Sequence, residues 1–463
     1  MERDRKPDPL LIEQRPPSGM ILTPNNDVRF ARAVACIAVV AFAARIGWIL
    51  SHQTIGDGRY FLISGDGLDY HLMAEKLSVG RGYVQGFGRD VPSGRPPLWP
   101  MLLAVLSRVT GSNVMRHHQL LAAAVGASSV VLVAYLARRV GGRRPGLIAG
   151  TVAAMYPGFW VYEWPLLSET LLLPTLAAFL LTCYRYIDRP TPRGAAAVGG
   201  LLALTALVRS EQAMLGVVVL WLFGRQFRGN RVGALRDCAL SFGIAASLLV
   251  PWVLFNQTRF AEPVWLSTGL GNTMLTGSCD TAYRGELQGL YDPTCSRSVN
   301  LGSLDSSQAD GVRRSMATSY AQEHLSEVPL VALKRVGRVV GAYLPGHTVV
   351  SWSTWSSVPE AVVWAWILGG YLLAPFALAG AIMLRRHKRP IVPLVVPILT
   401  IVLTVAGTIG EIRYRAAAEI SLVVLASVAL AALSESLRKR SQSPSAAESS
   451  TIPNLGMDAS NPR

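Results

Sequence analysis

Long apolar stretches separated by short polar ones run along most of this chain. Val34 to Leu50, Leu120 to Ala137, Leu240 to Phe255, Ala361 to Leu384 and Ile391 to Ile409 each approach the roughly 20 residues that cross a bilayer as a helix. Lipid offers no partner to backbone N–H and C=O groups, so such stretches are expected to be helical. Further spans are expected near 145–162, 168–187, 195–208, 211–224 and 416–434. The pattern therefore predicts an all-α polytopic membrane protein of about ten transmembrane helices. Two large loops, 51–117 and 256–360, interrupt it and are expected on the extracytoplasmic side, carrying amphipathic interfacial helices. Leu98 to Val109 is apolar but short for a span. Counting it would invert every later loop, so it is assigned to an interfacial or re-entrant helix of the first loop.

A second periodicity lies inside that loop. From Asp69 the apolar positions Leu72, Met73 and Leu77 recur at helical spacing, with Glu75 and Lys76 on the opposite face. This predicts an amphipathic helix on the membrane surface, with Asp66 just ahead of it. Asp66 or Asp69 can cap the helix by accepting its first N–H groups. A carboxylate there can instead serve as a general base toward a hydroxyl.

Composition agrees with the membrane reading. The 463 residues are 51% hydrophobic and 16% charged, against about 25% charged in soluble domains, and mean hydropathy is +0.33. The net charge of +15 would suit a nucleic-acid partner, but its distribution argues against one. Arg138, Arg139, Arg143 and Arg144 cluster at one span end, and Arg225, Arg228, Arg231 and Arg236 at another. Arg385, Arg386, Lys388 and Arg389 form a third group, and Arg438, Lys439 and Arg440 a fourth. Short basic loops mark the cytoplasmic side. Residues 1–28 are thus expected to be a cytoplasmic tail and 441–463 a disordered cytoplasmic tail. No short apolar region with a small-residue cleavage site precedes the first span, which is expected to remain as an anchor.

With the arginines inside, Asp57, Asp66, Asp69, Glu163, Glu169, Glu211 and Glu411 fall on the outer side, most of them at the outer ends of spans, where they can converge on one cavity. Cys279 and Cys295 share the second outer loop and either pair as a disulfide or stay as thiols. No G-x-x-x-x-G-K-[ST], strand–glycine–helix fingerprint, Gly-x-Ser-x-Gly or zinc-type histidine spacing occurs. No nucleotide or redox cofactor is therefore expected. Tryptophans near span ends, Trp355 among them, fit an aromatic belt or a sugar-stacking platform.

Several of these residues form a recognisable series. Asp66, Tyr70, Ala74, Leu77, Gly80 and Gly82 lead to Arg95-Pro-Pro-Leu-Trp-Pro100. Tyr156-Pro and Leu166-Leu-Ser-Glu169 follow, then Leu204-Thr-Ala-Leu-Val-Arg209-Ser-Glu211, Pro251-Trp and Arg413-Tyr-Arg415. In this order they resemble the GT-C class of membrane glycosyltransferases, in particular the protein-mannosyltransferase and aminoarabinose-transferase group (glycosyltransferase family 39-like). Relatives often carry two adjacent acids at the first site, whereas here Gly67 follows Asp66 and the second acid is Asp69. That leaves the role of Asp69, and any dependence on a divalent metal, open.

The resemblance implies a transferase domain over 29–440 that moves a sugar from a polyprenyl-phosphate donor to an acceptor hydroxyl, with inversion, at the outer face of the plasma membrane. It implies Asp66 as catalytic base and Asp69, Tyr70, Glu169, Arg209, Glu211, Arg413 and Arg415 as substrate-binding. The arginines would face the departing phosphate, with interfacial anchoring as their other reading. For Glu169 the other reading is a buried ion pair with an arginine. The partners implied are a lipid-linked donor, an acceptor (protein, lipid or polysaccharide) and the bilayer, without nucleic acid. The alternative function is a transporter or lipid-linked sugar flippase, which would call for polar groups near mid-membrane in broken helices.

Overall fold

The computed structural model describes residues 24–51, 65–88 and 90–442. Asp57 and most of both expected tails lie outside the described residues. Among the described residues there is no strand, only an isolated bridge between Val84 and Pro92.

The described residues open with α1 (Pro24–Ser51). The first loop contributes α2 (Asp66–Ser78) and α3 (Leu98–Thr110), which pack on each other. A bundle follows, made of α4 (Met115–Gly141), α5 (Arg143–Met155), α6 (Glu169–Asp188), α7 (Pro192–Val208), α8 (Gly216–Phe227) and α9 (Arg231–Gln257). The second loop is itself helical: α10 (Leu270–Thr276), α11 (Asp280–Tyr283), α12 (Pro293–Arg297), α13 (Ser306–Glu323), α14 (Val328–Val340) and α15 (Pro345–Ser356). Three more bundle helices end it: α16 (Glu360–Arg386), α17 (Val392–Gly407) and α18 (Ala416–Gln442). Every expected span corresponds to a helix. Six of them (α1, α4, α6, α9, α16 and α18) are long and apolar enough to cross a membrane, while α7 and α17 are shorter apolar helices.

Charges sort to the two ends of this bundle. At one end Arg138 closing α4 pairs with Asp27 opening α1, and Asp188 closing α6 takes Arg139 at 2.7 Å and Arg389 at 2.9 Å. Arg144 opening α5 meets Glu435 near the end of α18 at 3.1 Å. The starts of α6 and α18 therefore point to the opposite end, where most of the acids of the outer loops gather. Helices approach closely in between. A Cβ on Gly380 of α16 would stand 1.9 Å from the Leu425 carbonyl oxygen of α18, the kind of close approach that only small residues permit between membrane helices. The core of α4, α5, α6, α16 and α18 is filled by Phe179, Tyr162, Trp352 and Trp366, among others.

Three sequence expectations are corrected. The helix α2 does not lie free on a surface: Asp69, Tyr70, His71, Met73 and Ala74 are buried, and Tyr70 and Ala74 share a core with Trp99 and Leu103 of α3. Neither Asp66 nor Asp69 caps it, because the cap position is Gly65 and makes no side-chain hydrogen bond. Glu163 does not join the other acids. It is buried between α4 and α1, where Arg45 donates Nε to it at 2.8 Å. Cys279 and Cys295, by contrast, are joined as a disulfide, and closing a loop of this size contributes on the order of 3 kcal/mol in the chain-entropy model.

Candidate active site

Asp66 is the first residue of α2, where a carboxylate is favoured by the helix dipole. Gly65 before it holds φ at +90°, and a Cβ there would meet the indole Nε1 of Trp355 at 2.9 Å. Glycine is needed on both counts, and Trp355 of α15 is thereby brought against the aspartate. Asp69 follows one turn later on the same face. The loop after α2 returns Arg95 to this face, and its guanidinium takes both acids, with Nη2 donating to Asp66 at 2.8 Å and Nε to Asp69. Asp69 also accepts the Gly86 N–H at 2.9 Å, and Arg95 lies over the Tyr70 ring at 4.9 Å.

The turn between α17 and α18 supplies the other side. Arg413 donates Nη1 to the second oxygen of Asp66 at 2.6 Å and pairs with Glu411 at 2.9 Å. Its guanidinium lies 5.2 Å from the Trp355 ring. Arg209, in extended backbone after α7, pairs with Glu169 at the start of α6 and with Glu211 at 2.5 Å. The Tyr414 ring stands under both Arg209 and Arg413, at 5.0 and 5.7 Å, and links the two sets.

The electrostatics of Asp66 follow from this frame. Burial would raise its pKa, but Arg95 and Arg413 outweigh that and hold the carboxyl well below the usual carboxylate range. Glu411 goes the other way, since its burial prevails over the attraction of Arg413 and raises its pKa. Glu169 is 1% exposed and pairs with Arg209.

Of the residues singled out from sequence, Asp66, Asp69, Tyr70, Glu169, Arg209, Glu211 and Arg413 come together here. Arg415 turns away into a separate network. It donates Nε to Glu419 at 2.6 Å and Nη2 to Tyr156 Oη at 2.7 Å and the Trp366 carbonyl at 3.0 Å. Three members escaped the sequence reading of roles. Arg95 stood in the quoted Arg-Pro-Pro run, Glu411 among the outer acids and Trp355 in the aromatic belt. A basic residue fixed in extended backbone by the following proline was the available signal for Arg95. No three His, Cys, Asp or Glu side chains among the described residues are grouped as a metal site would require.

Behind the site, α2 is tied to α3 and α4 by a buried histidine pair. His71 and His118 meet Nδ1 to Nδ1 at 3.0 Å, and His118 Nε2 meets Ser107 at 2.8 Å. Burial pushes the His71 pKa down to about 4. The unfolded chain then binds the proton first, so His71 lowers stability as pH falls from about 6.5 to about 4, by about 3 kcal/mol in full. The thermal midpoint of the purified protein should decline over that window. Its slope with pH should flatten in His71→Gln, and an equal slope in the variant would remove His71 as the cause.

Comparison with known proteins places this architecture. Residues 94–255 match the model of the dolichyl-phosphate-mannose-protein mannosyltransferase family. That segment holds Arg95, Glu169, Arg209 and Glu211 but neither Asp66 nor Arg413. The fold is similar to the oligosaccharyltransferase AglB of Archaeoglobus fulgidus in complex with an inhibitory peptide and a dolichol-phosphate. The two share 14% identity with a TM-score of 0.52, over 90% of this chain and 52% of that one. The Archaeoglobus fulgidus oligosaccharyltransferase in complex with Zn and sulfate gives 15% identity and a TM-score of 0.51, over 87% and 50%. ArnT from Cupriavidus metallidurans bound to undecaprenyl phosphate aligns with 13% identity and a TM-score of 0.39, over 90% and 80%. No curated protein matches in sequence. The chain spans about half the length of the oligosaccharyltransferase chains it matches. The fold is thus an all-α, multi-pass membrane architecture similar to that of the archaeal oligosaccharyltransferases, and its segment 94–255 resembles the protein-mannosyltransferase family.

Proposed function

We propose that the chain transfers a sugar from a polyprenyl-phosphate donor to an acceptor hydroxyl, with inversion, on the extracytoplasmic face of the cell membrane. The observation that carries this reading is the single carboxylate of Asp66 held between Arg95 and Arg413. One base flanked by two phosphate-binding forks is the minimum an inverting transfer from a lipid phosphate needs. The family match and the dolichol-phosphate of AglB support a lipid-linked donor. The transporter or flippase alternative gains no support from either.

In this mechanism the acceptor oxygen attacks the anomeric carbon and its proton passes to Asp66. The bond from that carbon to the phosphate oxygen breaks, and its electrons leave with the polyprenyl phosphate. A carboxylate shared by two guanidiniums is a weak base. The donor phosphate competes for the same forks, so its arrival draws Arg95 and Arg413 from Asp66 and restores basicity as substrate binds. Arg209 and Glu169 then orient sugar or acceptor hydroxyls. The test is a membrane assay offering radiolabelled polyprenyl-phosphate sugars and, in parallel, nucleotide sugars. Transfer from the lipid-linked donor alone is expected. Transfer from the nucleotide sugar in its place would overturn the reading.

A further inference from the structure

At the bundle end remote from Asp66, an open groove of ≈ 490 Å³ runs between the end of α8 and the start of α17, floored by the turn after α16. Its rim is basic and its wall is apolar. Arg225, Arg385, Lys388 and Arg389 stand at the rim, and Trp221, Val392, Val396 and Leu399 line the wall along the helix direction. Arg389 is engaged by Asp188. Among the described residues, no carboxylate lies within ion-pair reach of Arg225, Arg385 or Lys388, so three cations stand together uncompensated. Lys388 adds an independent observation. It ends α16 with φ at +55°, the left-handed position where helices usually place glycine. A long cationic side chain occupies a backbone conformation that disfavours any side chain, and it does so at the mouth of this groove.

The groove is not an extension of the acidic site. Glu169 and Asp188 are the two ends of α6, and a helix of that length separates them by about 30 Å. A soluble anion would use the rim and leave the apolar wall wet. A membrane lipid uses both, because its headgroup sits at the level of the helix ends while its chain follows the helices. We propose that this groove binds an anionic phospholipid. Arg225, Arg385 and Lys388 hold the phosphate, and one acyl chain lies along Trp221, Val392, Val396 and Leu399.

Trp221 provides the readout. The full chain in neutral detergent is titrated with phosphatidylglycerol brominated on its acyl chains, with brominated phosphatidylcholine as the control. Saturable quenching by phosphatidylglycerol that is absent from Trp221→Phe is expected. The triple substitution Arg225→Gln, Arg385→Gln, Lys388→Gln should weaken it by at least about tenfold. These residues are exposed, so the variant is expected to fold, and its elution as the same monodisperse species checks this. Equal quenching by the phosphatidylcholine, or an unchanged midpoint in the triple variant, overturns the proposal. Displacement of the lipid by inorganic phosphate at matching concentration would also overturn it, by identifying a free-anion site.

Discussion

Asp66→Asn should lower sugar transfer by about 10²- to 10⁴-fold, the usual contribution of a positioned general base, while the protein remains folded in the membrane. Asparagine keeps the size of the side chain but cannot accept the hydroxyl proton. The frame around it keeps partners: Arg95 retains Asp69 and Arg413 retains Glu411. Loss of activity therefore cannot be attributed to stranded charge. Released from the carboxylate, both arginines become freer to hold a phosphate, so the donor should bind at least as tightly to the variant as to the parent. Full transfer by Asp66→Asn in the radiolabelled assay would sink the base assignment. A fall in kcat together with weakened donor binding would point to a mainly structural role.

The largest expected effect on stability comes from Glu419→Ala. Glu419 is fully buried at the start of α18, and its Oε1 accepts from Arg415 Nε, from Trp366 Nε1 at 2.7 Å and from Tyr156 Oη at 3.3 Å. One carboxylate thus joins α18, α16 and the end of α5. Its removal leaves the Arg415 guanidinium buried without a counter-charge, a loss of about 3–5 kcal/mol for a broken buried pair. Replacing both partners with methionine should cost much less, since neither charge is then stranded. Thermal unfolding of the two variants in the same detergent separates the cases. A double variant as unstable as Glu419→Ala would show that packing, and not the unpaired charge, dominates.

The division between what the sequence disclosed and what it hid follows the range of the interactions. The spans, α2 and the placement of α3 in the first loop depend on local periodicity, which is written directly into residue order. Asp66 and Asp69 share a face for the same reason. Long-range pairing leaves no such trace. Glu163 looks like every other outer acid until α1 brings Arg45 to it, and Arg415 resembles Arg413 two residues earlier although α18 turns it toward Glu419. The second outer loop was expected to carry amphipathic helices, but the bounds of α10 to α15 were not legible, because most of them are short and have little apolar periodicity. The helix cap at Gly65 was missed because glycine there answers to Trp355, nearly 300 positions away in sequence.

The Cys279–Cys295 bond carries a consequence for biogenesis. A disulfide in this loop forms where an oxidant is present, and a loop left in a reducing cytosol would keep both thiols. Its two sulfurs therefore record where the loop went during membrane insertion. Cys183 is buried, whereas this pair lies in the helical segment between α9 and α16. A thiol-reactive mass tag, applied with and without prior reduction, would read orientation from the untagged native protein.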